Sequence, residues 1–336
     1  MTADLQLGLM LGYWFGPPDD ATETVQAAER LGFASVWTAE AYGSDAVSPL
    51  AWYGARTTRI TLGTGLVQLS ARTPACTAMT AATLDALSGG RLVLGLGVSG
   101  PQVVEGWYGM PFDKPLARTR EYVSLLRAAW RREPLTSAGP HHPLPMPGGT
   151  GLGKALKLTV HPVRERIPVY LGAEGPRNVA LAAEIADGWL PLFYDPERSP
   201  ALYADTLSGA PDGFQIACPV TVVVDDDVEQ ALLPVKLSLA FYIGGMGARD
   251  RNFHLDLVGR LGYAEEAERV QRLFLDGDRN GAVAAGPDAL ADSIALVGPL
   301  DRIRDRLARW TASPVTQLLV GGVRNPEHLA ALAKMR

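Results

Sequence analysis

The sequence predicts a single (β/α)8 barrel, a ring of parallel strands wrapped by helices, on three observations. Short apolar runs alternate with segments of helical period over nearly all of the 336 residues. Eight of those runs have strand length, and several end in a glycine-bearing turn, where barrels of this class carry their chemistry. No short-period repeat divides the chain, and barrels longer than about 250 residues are ordinary as one domain.

The elements follow in order. Residues 5–11 are strand one, and 21–31 form a helix with Asp19 and Asp20 as cap candidates and Gly32 as its stop. Strand two is 34–38, followed by a helix to about Arg56. Strand three is 60–65, and the long helix 73–87 ends at Ser88-Gly89-Gly90. Strand four is 91–97, with a helix at about 116–130. Residues 133–166 are rich in Pro and Gly and read as an insertion holding a small hairpin. The beat resumes with strand five at 167–172, a helix at 176–186, strand six at 188–190 and strand seven at 215–224. A helical insertion covers about 226–298 within a mostly helical stretch to Trp310, broken by glycines at 244–247. Strand eight is 315–320, and 326–335 is the closing helix.

Composition excludes several function classes. Hydrophobic residues make up 47% and charged ones 20%, as in a globular enzyme. The formal charge is -5 with no Lys/Arg run, which argues against a nucleic-acid partner. Cys76 and Cys218 lack CxxC spacing, so neither a disulfide framework nor a zinc site follows, and both read as small core residues. Met1-Thr2-Ala3-Asp4 has no basic or apolar leader character, and no apolar run reaches the roughly 18 residues of a membrane span. The expectation is a cytoplasmic protein without metal, acting on a small molecule.

Five strand ends are the places to seek chemistry: 12–18, 40–45, 65–70, 97–102 and 172–177. The strongest is Gly172-Ala173-Glu174-Gly175-Pro176-Arg177, a strand-to-helix turn with proline at the first helical position. A helix N-terminus there offers an anion site, and Arg177 adds a charge-assisted contact to a phosphate. An ordinary βα turn explains the same residues equally well. Gly97-Val98-Ser99-Gly100 has the same logic plus a hydroxyl, without P-loop or full GxGxxG spacing. His141-His142 read as solvated loop residues, and His161, His254 and His328 show no metal-ligand spacing. Asp225-Asp226-Asp227 read as a solvated helix start. Among strand-end aromatics, Trp107 and Tyr108 suit ring stacking as well as packing, whereas Trp37 points into the barrel or behind it.

Taken together, these segments resemble the bacterial-luciferase-like F420-dependent oxidoreductases, most nearly the methylenetetrahydromethanopterin reductases. The resemblance runs from about Leu5 to Leu332 and is carried by Ser35-Val36-Trp37-Thr38-Ala39-Glu40, Leu62-Gly63-Thr64-Gly65-Leu66, Arg72-Thr73-Pro74, Thr83-Leu84-Asp85-Ala86-Leu87-Ser88-Gly89-Gly90-Arg91, Leu94-Gly95-Leu96-Gly97 and Ile167-Pro168-Val169-Tyr170-Leu171-Gly172-Ala173-Glu174-Gly175-Pro176. It implies a luciferase-like barrel, a deazaflavin across its mouth, hydride exchange at the deazaflavin C5 and a homodimer. It implies that Thr64, Gly65 and Leu66 form a bulge behind the ring, with a non-proline cis peptide at Gly65-Leu66. Gly97, Val98, Ser99 and Gly100 match the loop near the cofactor tail, and Gly172 to Pro176 with Arg177 match the phosphate loop. Glu40 matches an acidic residue, usually Asp, at the ring's polar edge, and is the expected titratable group. Two positions depart from the pattern. Ala41 stands where His commonly follows the acid, and Met10 replaces a strand-one Glu of many methanopterin reductases. Two other readings stay open: an FMN-dependent monooxygenase on the same barrel, and a cofactor-binding protein without turnover. A Schiff-base aldolase finds no Lys at a strand end, since Lys154 and Lys157 lie in the insertion.

Overall fold

The computed structural model describes residues 5–14, 16–17, 19–247, 249 and 252–335; Met1–Asp4 and part of the 12–18 loop lie outside the described residues. The described residues form ten strands: β1 (Gln6–Gly12), β2 (Ser35–Thr38), β3 (Thr61–Thr64), β4 (Val67–Gln68), β5 (Leu92–Gly97), β6 (Val169–Gly172), β7 (Gly188–Leu190), β8 (Gln215–Val224), β9 (Ala295–Gly298) and β10 (Gln317–Gly321). Among the described residues fourteen helices join them: α1 (Thr22–Arg30), α2 (Val47–Gly54), α3 (Pro74–Leu87), α4 (Pro101–Gly106), α5 (Pro115–Trp130), α6 (Pro176–Ile185), α7 (Ser199–Leu207), α8 (Val228–Gly245), α9 (Phe253–Arg260), α10 (Ala264–Leu275), α11 (Arg279–Ala285), α12 (Asp288–Ser293), α13 (Leu300–Thr311) and α14 (Pro326–Ala333).

Eight strands pair in parallel as β1-β2-β3-β5-β6-β7-β8-β10, and β10 returns to β1, closing the ring. These are the eight expected strands, so the chain is a (β/α)8 barrel. β4 and β9 lie off that ring and escape a reading by pattern. β4 has two residues, and β9 is an Ala-Leu-Val-Gly run behind a helix, too short for periodicity to separate from helix. Other boundaries move as well. Ala21, not Asp19 or Asp20, is the α1 cap residue, although the Asp20 carboxylate accepts the Thr22 amide at 3.0 Å. The hairpin expected in 133–166 reduces to one antiparallel bridge, Ser137 with Leu144.

The strands are buried on both faces, as parallel strands between two apolar layers must be. Outside the ring, leucines and valines of the strands pack against the helices in the largest apolar cluster. Inside it, Trp37, Val93, Tyr170, Leu190, Ala217 and Leu319 form a small plug against Met10. Trp37 therefore points into the barrel, where it fills the space that a Cβ at Gly63 would need: such an atom would lie 2.2 Å from the indole. The 226–298 segment builds its own apolar cluster from Leu232, Leu239, Ile243, Leu257, Val270 and Leu290. The insertion is tied down through Arg164, which forks onto the buried Asp85 carboxylate at 2.6 and 3.0 Å. Asp227 caps α8, as a solvated helix start should. Cys218 is buried, but Cys76 is exposed in the first turn of α3, contrary to its core reading.

Candidate functional site

The plug closes the barrel axis, and above it a cavity of about 1050 Å3 opens at the C-terminal ends of the strands. Of the fourteen residues singled out in the sequence, thirteen line it: Glu40, Gly65, Leu66, Gly97, Val98, Ser99, Gly100, Gly172, Ala173, Glu174, Gly175, Pro176 and Arg177. Thr64 does not. Its hydroxyl donates to the Gly95 carbonyl at 2.9 Å and accepts the Gly95 amide at 2.8 Å, so it clamps β3 to β5 from within the core.

The back wall is the turn between β3 and β4. The Gly65-Leu66 peptide is cis, as the resemblance implies. The Leu66 side chain lies over both Gly97 and Gly172, where an added Cβ would stand 2.5 and 2.4 Å from its methyl carbon. Those two glycines thus make room for Leu66, a reason for glycine there that the sequence pattern did not show. Gly175 differs: a Cβ built on it meets nothing within 4 Å, and its φ of -73° suits any residue. It caps the ten-residue helix α6, whose first turn has no side-chain cap, and the exposed Arg177 sits at the same rim. This is open backbone at a helix N-terminus, where the uncapped amides and the helix dipole favour negative charge.

Glu40 is almost fully buried and has a set of donors around it. Its carboxylate accepts from Arg72 at 2.6 Å, from the Gln68 amide at 3.0 Å and from the Ala46 amide at 3.2 Å. All three partners can only donate, and the carboxyl oxygens accept from each of them. Through these contacts Glu40 ties together the β2–α2 loop, β4 and the turn before α3.

Several lining residues carried no usable sequence signal. Tyr13, Tyr42, Phe112, Tyr242, Met246, Phe253 and His254 reach the cavity from several elements. Trp107 was marked by its place near a strand end, but Tyr108 beside it points away to donate to the Ala41 carbonyl at 3.3 Å. His254 showed no ligand spacing because its partner is 80 positions away: Nδ1 lies 2.9 Å from the Glu174 carboxylate. Burial pushes the Tyr242 phenol above its usual range, which keeps it protonated at neutral pH.

Comparison with known proteins agrees with this layout. Residues 5–317 match the family described as luciferase-like monooxygenase. A Mycobacterium tuberculosis protein, provisionally named as a coenzyme F420-dependent oxidoreductase, is 52% identical over 99% of this chain and 100% of its own length. The 5,10-methylenetetrahydromethanopterin reductase of Archaeoglobus fulgidus is 28% identical over 90% of this chain and 89% of its own. Among solved structures, the coenzyme F420-dependent tetrahydromethanopterin reductase of Methanopyrus kandleri superposes with a TM-score of 0.79 at 23% identity, covering 99% of this chain and 98% of that one. The chain belongs to the luciferase-like monooxygenase family.

Proposed function

We propose that this protein is an F420-dependent oxidoreductase that passes a hydride between the deazaflavin C5 and an organic substrate. The observation that carries the reading is one cavity in which the Gly65-Leu66 turn backs one wall and the uncapped α6 N-terminus faces in from β6. Its volume exceeds the usual range for drug-sized ligands, leaving room for a cofactor and a substrate together. The relative at 52% identity supports the choice of deazaflavin over FMN. Homodimerisation belongs to the same reading.

The cofactor supplies hydride chemistry; the protein binds and orients. Leu66, wedged over Gly97 and Gly172, would support the deazaflavin from the barrel side. The α6 N-terminus, with Gly175 and Pro176 at its start and Arg177 at the rim, would hold the phosphate. Val98, Ser99 and Gly100 border the tail, and Ser99 sits at a φ of 58°, turning the loop sharply ahead of α4. Glu40 and Arg72 fix the loop at the ring's polar edge.

Parallel spectral titrations test the reading. F420 is expected to bind at least tenfold more tightly than FMN, a gap of about 1.4 kcal/mol. Equal or tighter FMN binding would sink it and revive the monooxygenase alternative. The phosphate contact has its own check. Gly175→Val should fold normally, because the added side chain meets only open space. It should weaken F420 binding by about 10- to 100-fold, the cost of roughly one charge-assisted hydrogen bond of 1.5–3 kcal/mol. Unchanged affinity in a folded variant would show that the loop is only a turn.

A further inference from the structure

The cavity holds more lining than the proposed cofactor contacts use. On the side of α4, α8 and α9, Trp107, Phe112, Tyr242, Met246 and Phe253 form an apolar chamber. Among the described lining residues the ion-forming side chains are few. Glu40 is paired with Arg72 and Glu174 with His254, and Arg177 stands at the α6 rim. Its polar groups outside the proposed cofactor loops are the Gln102 amide, the Trp107 indole N–H, the Tyr242 phenol and the His254 imidazole, and of these the imidazole alone has a ring nitrogen that can take a proton.

That imidazole is held on three sides. The Asn252 side chain caps α9 by accepting the His254 and Leu255 amides at 2.9 and 3.1 Å, which fixes the residue's backbone. Tyr242 packs edge-on against the ring, with centroids 4.9 Å apart. Glu174 takes Nδ1 at 2.9 Å and is itself pinned, since its carbonyl accepts from Tyr203 at 2.9 Å and from Arg260 at 3.1 Å. A carboxylate on Nδ1 sets the tautomer with its proton there and leaves Nε2 as the free edge. Both side chains keep about 15% of their surface open.

We propose that the α4/α8/α9 chamber binds a neutral, largely apolar molecule bearing one hydroxyl or carbonyl oxygen, and that His254 Nε2 takes that oxygen while Glu174 positions the ring. The inference rests on the oxidoreductase reading and names its substrate class. Oxidation of such an alcohol moves the C–H hydrogen with its electron pair to the deazaflavin. The O–H proton goes to Nε2, and the O–H bonding pair becomes the C=O π bond; reduction runs the reverse. A dyad at this place suits that traffic, because the carboxylate on Nδ1 stabilises the imidazolium formed on the way.

Binding of 2-octanol, 2-octanone and octanoate, followed by calorimetry in F420-loaded and F420-free protein, tests this. Both neutral probes should bind at least tenfold more tightly than octanoate. Octanoate binding as well or better, or no binding of either neutral probe, overturns the substrate class. Failure of F420 to bind overturns the cofactor reading instead, and the order of the three probes in the free protein still decides this one. His254→Phe keeps the packing on Tyr242 and removes both nitrogens, so 2-octanol affinity should fall about fivefold, as for one lost hydrogen bond. Unchanged affinity removes His254 from the site. Should that variant not fold, long-range 15N spectra of the wild-type protein decide. Nδ1 should carry the proton, and the Nε2 resonance should shift saturably with 2-octanol. An Nε2 that stays put, or a proton on Nε2, overturns the assignment.

Discussion

Arg72→Met should destabilise the protein by about 3 kcal/mol, at the low end of what breaking a buried ion pair costs. The Glu40 side chain is 4% exposed and that of Arg72 20%, so removing the guanidinium leaves a carboxylate that water reaches poorly. Two backbone amides, from Gln68 and Ala46, still stabilise the anion, which keeps the loss from reaching the upper end of the range. The double variant with Glu40→Gln removes the stranded charge and should recover most of the loss, since the amide oxygen can still accept from Gln68. Urea unfolding at fixed m-value measures both. A single variant within about 0.5 kcal/mol of wild type would mean that water enters this corner freely.

The second large effect is expected at Gly95, in the middle of β5. A Cβ there would stand 1.9 Å from the Thr64 carbonyl oxygen and 2.7 Å from a Leu190 methyl. The first obstacle is backbone of the neighbouring strand, held to Gly95 by both hydrogen bonds of the Thr64 hydroxyl, so it cannot swing aside. Gly95→Ala should therefore cost about 3 kcal/mol, the top of the usual range for overpacking, and disturb the β3–β5 seam beneath the site. Gly175→Ala is the matched control, expected to leave stability nearly unchanged because its Cβ has open space. Comparable thermal unfolding of the two variants would show that β3 yields where the packing says it cannot.

The contrast between these glycines marks where the sequence stops being informative. Gly65, Gly97, Gly172 and Gly175 look alike in the chain, each at a strand end that suits close approach of a ligand. Only packing separates them: Gly97 and Gly172 seat Leu66, whereas Gly175 faces open space. Thr64 shows the same limit, since its neighbours in the sequence line the cavity and it faces the core.

By itself the sequence determined the barrel and the mouth of the site. Strand and helix periods are local, so eight parallel strands were legible, as was the position of the glycine-bearing turns at their C-terminal ends. It left out β9, whose four residues carry no period, and the three donors that surround Glu40. The tertiary structure alone decided which charges meet. Arg72 and Glu40 are 32 positions apart, and Glu174 and His254 are 80. Such pairs form because closing the ring brings the loops after successive strands to one end, while the α8–α9 segment folds over that end with its own apolar cluster. Side-chain chemistry at that distance in sequence follows from closure of the barrel, and no spacing rule along the chain encodes it.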